Sequence, residues 1–332
     1  MTTTIAFPTL LETFFTDRLV RQKRASPHTI ASYRDAFSLL LRFTQQRLGK
    51  APSTLALDDL DAPLISAFLD DLEQTRGTSA RSRNVRLAAI HSFFQYAALL
   101  VPSHGGLIQR VLAIPDKRYD RTPIDFLTGD EIDVLLAVPD QQTWAGRRDR
   151  TLMLVAVQTG LRVSELTGLC WQDVTFGTGA HVSCEGKGRK TRCTPLRKDA
   201  ITALRAWQRE LKRLSQEPVF PSARGKRLSR DGVAYLLAKH VGVARHQCPS
   251  LESKRVTPHV LRHSAAMALL HSGVDSAVIA MWLGHESMDT IQMYLHASLE
   301  LKQQALDKTT PVTGSPGRYQ PDDSLLAFLK GL

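Results

Sequence analysis

Four cysteines in 332 residues are too few and too scattered to organise this chain. Cys170, Cys184, Cys193 and Cys248 contain no C-x-x-C pair and no clustered histidine partner. That pattern excludes a structural zinc module and a disulfide framework, leaving reduced thiols as the expectation. No apolar run approaches the roughly 20 residues that a membrane-spanning helix requires. Met1 leads into Thr2, Thr3 and Thr4 without the basic and apolar regions of a secretory signal, so a cytoplasmic location is expected. Internal repeats and low-complexity tracts are also missing, and the composition has neither a fibrous repeat nor the low hydrophobicity of disorder. Acidic residues are in deficit, 32 against 43 lysines and arginines, for a formal net charge of +11. Such a balance suits a polyanionic partner, but a solvated basic surface accounts for it equally well, so charge by itself selects no function.

What is present describes an ordinary folded protein, with 43% hydrophobic and 23% charged residues. The length favours two domains, each large enough to bury its own core. Residues 1–101 read as helices. Ser26 is a helix N-cap followed by Pro27, and Ile30, Tyr33, Phe37 and Leu40 or Leu41 recur at helical spacing. A second helical stretch, Thr78 to Leu100, combines apolar Val85, Ala89, Phe93 and Tyr96 with Arg81, Arg83 and Arg86. One side suits packing and the other suits phosphate, with a solvated basic face an equal alternative for any single arginine.

Pro102, Gly105, Gly106, Pro115 and Pro123 then collect around a charged stretch, and residues 102–126 read as an interdomain linker. A second domain, residues 127–310, opens with Thr128 and Glu131 as a capping box. Near residues 181–195 the pattern changes to short β-prone stretches, with Gly188-Arg189 as a two-residue hairpin turn. Counting outward from that turn pairs Lys187 with Lys190 and Cys184 with Cys193. Residues 311–332 read as a joint containing Gly314, Pro316 and Gly317, followed by a short apolar stripe of Leu325, Leu326, Phe328 and Leu329. A short helix with such a stripe needs a groove to dock into.

Basic residues cluster in the second domain at Arg147, Arg148 and Arg150, at Lys187, Arg189, Lys190 and Arg192, and at Arg224, Lys226, Arg227 and Arg230. Four segments lie among them: TGLRVSEL at 159–166, EGKGRKTRCTPL at 185–196, TPHVLRH at 257–263 and LGHESMDTIQMYLH at 283–296. Together, in this order and spacing, they resemble the tyrosine recombinase family, most closely Xer recombinases and the integrases of phages and mobile elements. The resemblance covers most of residues 127–300 and extends more weakly over the N-terminal helices.

It implies a mainly α-helical, two-domain clamp around double-stranded DNA, with a small β-sheet or hairpin in the catalytic domain. The implied activity is site-specific recombination by transesterification. Tyr294 forms a 3′-phosphotyrosine, strands exchange through a Holliday junction, and neither a metal nor a nucleotide cofactor is used. The chemistry accounts for the residue types. A phosphodiester undergoing attack builds charge on its nonbridging oxygens, and two guanidiniums offer bidentate, permanently charged support.

By resemblance Arg162 and Arg262 are that pair, and Glu165, three residues after Arg162, orients it. The competing account of Glu165 is a simple surface ion pair. Lys187 is the expected general acid for the leaving 5′ oxygen, with Lys190 the alternative. His259, three residues before Arg262, and His285, nine before Tyr294, are expected to donate to phosphate oxygens. His263, His271 and His296 read as structural. Arg81, Arg83, Arg86, Arg189, Lys190, Arg227 and Arg230 are expected DNA contacts.

The resemblance further implies four protomers, as a homotetramer or with a related recombinase, on two DNA sites. It also implies docking of the C-terminal stripe into a neighbouring protomer, docking onto its own domain being the alternative. One departure from the family pattern is visible: many members carry two threonines where this chain has Thr290 followed by Ile291, which reads as a packing change. Two rivals stand beside this reading, a monomeric type IB topoisomerase with similar chemistry and a DNA-binding protein that has lost activity. Retention of Arg162, Lys187, His259, Arg262, His285 and Tyr294 together speaks against the second.

Overall fold

A computed structural model describes residues 5–120, 124–185, 191–211 and 217–284. The chain divides into two compact units, Met1–Arg121 and Thr122–Leu332. It is mainly helical, with a small antiparallel sheet in the second unit. Among the described residues no helix is long and apolar enough to cross a membrane.

The first unit begins with α1 (Phe7–Thr13), which runs on as a wider helical segment over Phe14–Gln22. Then follow α2 (Pro27–Leu48), α3 (Ala62–Gln74), α4 (Ala80–Leu100) and α5 (Gly105–Leu112). The local signals act as expected. Ser26 Oγ accepts the Thr29 N–H at 3.2 Å, Pro27 occupies the first helical position, and Gly49 ends α2 with φ +69°. Phe14, Phe37 and Phe93 pack edge to face, with Phe93 5.5 Å from Phe14 and 5.4 Å from Phe37. In α4, Ala89, Phe93 and Tyr96 are buried as the periodicity predicts, but Val85 is half exposed.

Within the expected linker at 102–126, residues 105–114 are a correction to the expectation, while the division between the two units falls at Arg121/Thr122 inside that stretch. Leu107, Ile108 and Val111 of α5, together with Ile114, are buried in the core of the first unit. Gly105 and Gly106 open a helix rather than a flexible joint, and Gly105 has an ordinary helical φ of −52°. Glycines at a helix start leave the apolar i, i+1, i+4 spacing intact, and that spacing decides the outcome.

In the second unit the capping box is present. Thr128 Oγ1 accepts the Glu131 N–H, and Glu131 Oε2 accepts the Thr128 N–H at 2.8 Å, opening α6 (Gly129–Ala137). The central helix α7 (Trp144–Thr159) buries Leu152, Met153, Val155 and Ala156 and stops at Gly160, φ +64°. The short α8 (Val163–Gly168) follows. Strands β1 (Val174–Thr175), β2 (His181–Glu185) and β3 (Thr191–Pro195) form the sheet in the order β1-β2-β3. Helices α9 (Lys198–Leu211), α10 (Arg230–Ala244), α11 (Pro258–His271) and α12 (Ser276–Leu283) complete the described part.

The hairpin register is a second correction. Cys184 pairs with Arg192, and Cys193 with Ser183. Glu185 pairs with Thr191, a register one residue away from the one that a Gly188-Arg189 turn would set. A one-residue slip moves every side chain to the other face. Cys184 is buried and Cys193 exposed, so the two thiols do not meet. The turn residues themselves lie outside the described residues, as does the C-terminal stripe at 325–329.

Candidate active site

The site is assembled where α7 ends, α8 begins and α12 ends. A helix leaves its last carbonyls without intrahelical donors. At α7 those of Thr159 and Gly160 are taken by side chains from distant segments. Trp282 Nε1 donates to Thr159 O at 3.1 Å, and Arg262 Nη1 donates to Gly160 O at 2.6 Å. Gly160 suits this junction twice over. Its left-handed φ tolerates glycine best, and an added Cβ would stand 2.6 Å from Leu283 Cδ2 and 3.2 Å from Ala265 Cβ.

Two residues later Arg162 is the N-cap of α8. Glu165 sits at the third helical position and reaches back, its Oε2 accepting the Arg162 backbone N–H at 2.7 Å while Oε1 accepts Arg162 Nη1 at 2.9 Å. The carboxylate thus holds both the backbone and the guanidinium of one arginine. Glu165 is almost wholly covered, its side chain 6% exposed, so the simple surface ion pair considered from sequence does not describe it.

Arg262 lies on α11, which Thr257 caps and Pro258 opens as expected. Its side chain is buried, and Nη2 donates to Leu283 O at 2.6 Å. Arg162 Nη2 donates to the next carbonyl, Gly284 O, at 3.1 Å. Both arginines therefore grip the Leu283-Gly284 turn, where Gly284 ends α12 with φ +64°. His285, the residue that follows, lies outside the described residues, as do Lys187 and Tyr294.

His259 is exposed on the first turn of α11, and its ring stacks near His263, with centroids 6.5 Å apart. Burial, followed by the neighbouring His259 and Arg262, pushes the His263 pKa down to about 4, while Asp125 acts in the opposite direction.

A third arginine, missed as a site residue from sequence, completes the cluster. Arg192 of β3 donates from Nη1 to Glu165 Oε1 at 3.0 Å and from Nη2 to Oε2 at 2.7 Å. Burial pushes the Glu165 carboxyl up. The bonds from Arg192, the Arg162 N–H and the Arg162 guanidinium more than offset this, holding it below its usual value. The available signal was strand alternation. Arg192 and Thr194 pair with Cys184 and Val182, all on the inward face, where a charge needs a partner. In sequence, Arg192 was indistinguishable from the other basic residues beside Lys187.

The expected DNA contacts divide. Arg81 and Arg230 are exposed, and Arg86 is half-buried with Nη1 donating to Ser82 O. Arg227 is exposed and donates to Cys170 Sγ at 3.1 Å. Arg83 differs from the expectation: it is buried, Nη1 donates to Pro115 O at 3.1 Å, and Nε stands 3.9 Å from Glu73. Its position on α4 faces the core and the segment after α5, so the side chain serves the fold. Arg189 and Lys190 lie outside the described residues.

Comparison with known proteins gives consistent matches across both units. Residues 125–300 match the Phage integrase family, and residues 13–99 match the Phage integrase, N-terminal SAM-like domain. The chain is 58% identical over 332 residues, the full length of both proteins, to the Sinorhizobium fredii integrase/recombinase y4rC. It is 32% identical over 305 residues to the tyrosine recombinase XerC of Pelobacter propionicus, covering 90% of this chain and 94% of that one. Its fold is similar to XerH site-specific recombinase in a post-cleavage complex with palindromic difH substrate, at TM-score 0.69 and 21% identity over 86% of this chain and 81% of that one. A lambda integrase tetramer bound to a Holliday junction is similar at TM-score 0.61 and 20% identity, covering 86% of this chain and 78% of that one.

Proposed function

We propose, from the premise that this chain belongs to the phage integrase family and is a tyrosine recombinase, that it cuts and rejoins double-stranded DNA at specific sites through Tyr294. The observation that carries the reading is the convergence of Arg162 and Arg262 on the Leu283-Gly284 turn, directly before His285 and ten residues before Tyr294. Two permanently charged forks at one place suit a phosphate whose nonbridging oxygens gain charge during attack.

In this scheme the Tyr294 oxygen attacks the scissile phosphorus and loses its proton, and the 5′ oxygen leaves as the phosphotyrosine bond forms at the 3′ side. Lys187 gives the leaving oxygen its proton. His259 and His285 support the phosphate and the proton movements, and Glu165 orients Arg162. A free 5′ hydroxyl reverses the step on a new partner strand, and two rounds pass through a Holliday junction. The bond energy is held in the phosphotyrosine, so no nucleotide cofactor is required.

Arg81, Arg86, Arg227 and Arg230, with Arg189 and Lys190, contact the DNA backbone. Four protomers act on two sites, as copies of this chain or with a related recombinase, and the C-terminal stripe docks into a neighbour. The tetrameric arrangement of the similar lambda integrase supports this assembly.

The test is a duplex nicked close to the cleavage site, which lets the short 5′-hydroxyl product diffuse away and traps the covalent complex. Wild-type protein should accumulate at the 3′ phosphate, and Tyr294→Phe should bind the same DNA without becoming attached. Attachment by the Phe variant would remove Tyr294 from its role. Relaxation of supercoiled plasmid with no recombinant product would favour the topoisomerase outcome.

A further inference from the structure

Glu165 is shared between two arginines. Its Oε1 accepts Arg162 Nη1 at 2.9 Å and Arg192 Nη1 at 3.0 Å, and its Oε2 accepts the Arg162 N–H at 2.7 Å and Arg192 Nη2 at 2.7 Å. An ionised carboxylate offers about four lone-pair sites. All of them are engaged here, half by each arginine.

That sharing decides what Arg162 can do. A lone Arg–carboxylate pair tends toward a fork-on-fork arrangement in which both ends of the guanidinium are turned to the carboxylate. Arg192 already holds that bidentate position. Arg162 is therefore limited to one side-chain bond to Glu165, and its other terminal nitrogen turns to Gly284 O. Its side chain keeps 29% exposure, whereas those of Arg192 and Glu165 keep 11% and 6%. The pair in the interior is Arg192–Glu165, and Arg162 is the arginine it presents outward.

Arg192 also touches the turn that Arg162 grips. A Cβ built on Gly284 would lie 2.7 Å from Arg192 Nη1 and 3.2 Å from its Cδ and Cζ. The guanidinium thus lies close against the Gly284 backbone. On its own strand, Arg192 is two residues beyond the 186–190 segment that contains Lys187, and β3 is paired to β2 from Thr191 onward.

We propose that Arg192 is a positioning residue for the cleavage step. It occupies Glu165 so that Arg162 faces the phosphate, and it ties the strand leading from Lys187 to the turn leading to His285. This rests on the recombinase reading given above. Arg192 acts through Arg162 and Glu165 and does not itself meet the substrate.

The experiment compares single-turnover cleavage of the nicked duplex with that of the same duplex carrying a methylphosphonate at the scissile position. There one charged nonbridging oxygen is replaced by a neutral methyl, so less cationic support is needed. Arg192→Ala should slow cleavage of the phosphate by roughly 10- to 100-fold while leaving DNA affinity near wild type, the size expected when a catalytic cation is displaced by about an ångström. The defect should shrink on the methylphosphonate, as it should for Arg162→Ala. Combining Arg192→Ala with Glu165→Gln should cost no more than Arg192→Ala alone, because the uncompensated carboxylate is then removed. Should Arg192→Ala fold poorly, Arg192→Lys keeps the charge but cannot span both Glu165 oxygens and should show the same substrate dependence. Equal defects on both substrates, additive losses with Glu165→Gln, or normal cleavage by the Arg192 variants would overturn the proposal. Absence of any covalent complex with wild-type protein would instead count against the recombinase reading.

Discussion

Arg162 and Arg262 donate to the carbonyls of adjacent residues, Gly284 at 3.1 Å and Leu283 at 2.6 Å, although 100 residues separate them in the chain. Neither carbonyl is a substrate group. Their effect is to fix each guanidinium against backbone, so that, on the proposed reading, little reorganisation would remain when a phosphate binds. The same bonds hold the end of α12, so the two guanidiniums and the Leu283-Gly284 turn are set by one arrangement.

Replacing either arginine by lysine should therefore fail despite the retained charge. Lysine has no planar fork, and at position 262 it cannot reach Gly160 O and Leu283 O together. Single-turnover cleavage should drop by about 100-fold or more for each variant. Arg262→Lys should also lower unfolding stability by about 1–3 kcal/mol through the buried carbonyl left without a donor. Cleavage near the wild-type rate in both variants would exclude them as the phosphate pair.

Gly160→Ala tests the junction itself. Gly160 and Gly273 share a left-handed φ, +64° and +76°, but a Cβ at Gly273 meets nothing within 4 Å, while one at Gly160 runs into Leu283 and Ala265. Each substitution carries the backbone cost of roughly 1–2 kcal/mol. Gly160→Ala should lose at least about 1 kcal/mol more through overpacking. Urea unfolding of the two variants reads that difference, and equal losses would mean that Leu283 moves aside freely.

His263 sets a pH dependence of known sign. Its pKa is pushed down from 6.5 to about 4 in the folded state, so the unfolded chain takes up the proton first as pH falls. The stability contributed by the neutral ring is present above 6.5 and is lost progressively toward about 4. His263→Gln removes that proton uptake. Urea midpoints measured from pH 7.5 downward should decline less steeply for the variant below pH 6.5, and parallel curves would show that His263 titrates alike in both states.

The hairpin register has a chemical readout. Cys193 is exposed beside Ser183, its Sγ 3.4 Å from Ser183 Oγ, whereas Cys184 is buried with its thiol pushed up to about 11 by that burial. Iodoacetamide should label Cys193 well before Cys184. Peptide mapping after mild oxidation should recover no Cys184–Cys193 bridge. Recovery of the bridge would restore the register expected from a Gly188-Arg189 turn.

Much of this protein is determined locally and is legible in its sequence. The Ser26, Thr128 and Thr257 caps each bring groups three residues apart into contact, and helix geometry alone guarantees that distance. Glu165 could be paired with Arg162 for the same reason. The helical character of both units and the four ordered segments around Arg162, Lys187, Arg262 and Tyr294 also need nothing beyond spacing and residue type. Long-range packing decided the rest. Leu107, Ile108 and Val111 convert an apparent linker into core because a buried apolar stripe outweighs neighbouring glycines, and Arg83 is drawn inward by Pro115 and Glu73. The β2–β3 register follows from which side chains the interior accepts, and it alone turns Arg192 toward Glu165. The convergence of Arg162 and Arg262 on the Leu283-Gly284 turn depends on the end of α7, the start of α8, the N-terminal half of α11 and the end of α12 meeting at one point, a relationship that no local periodicity encodes.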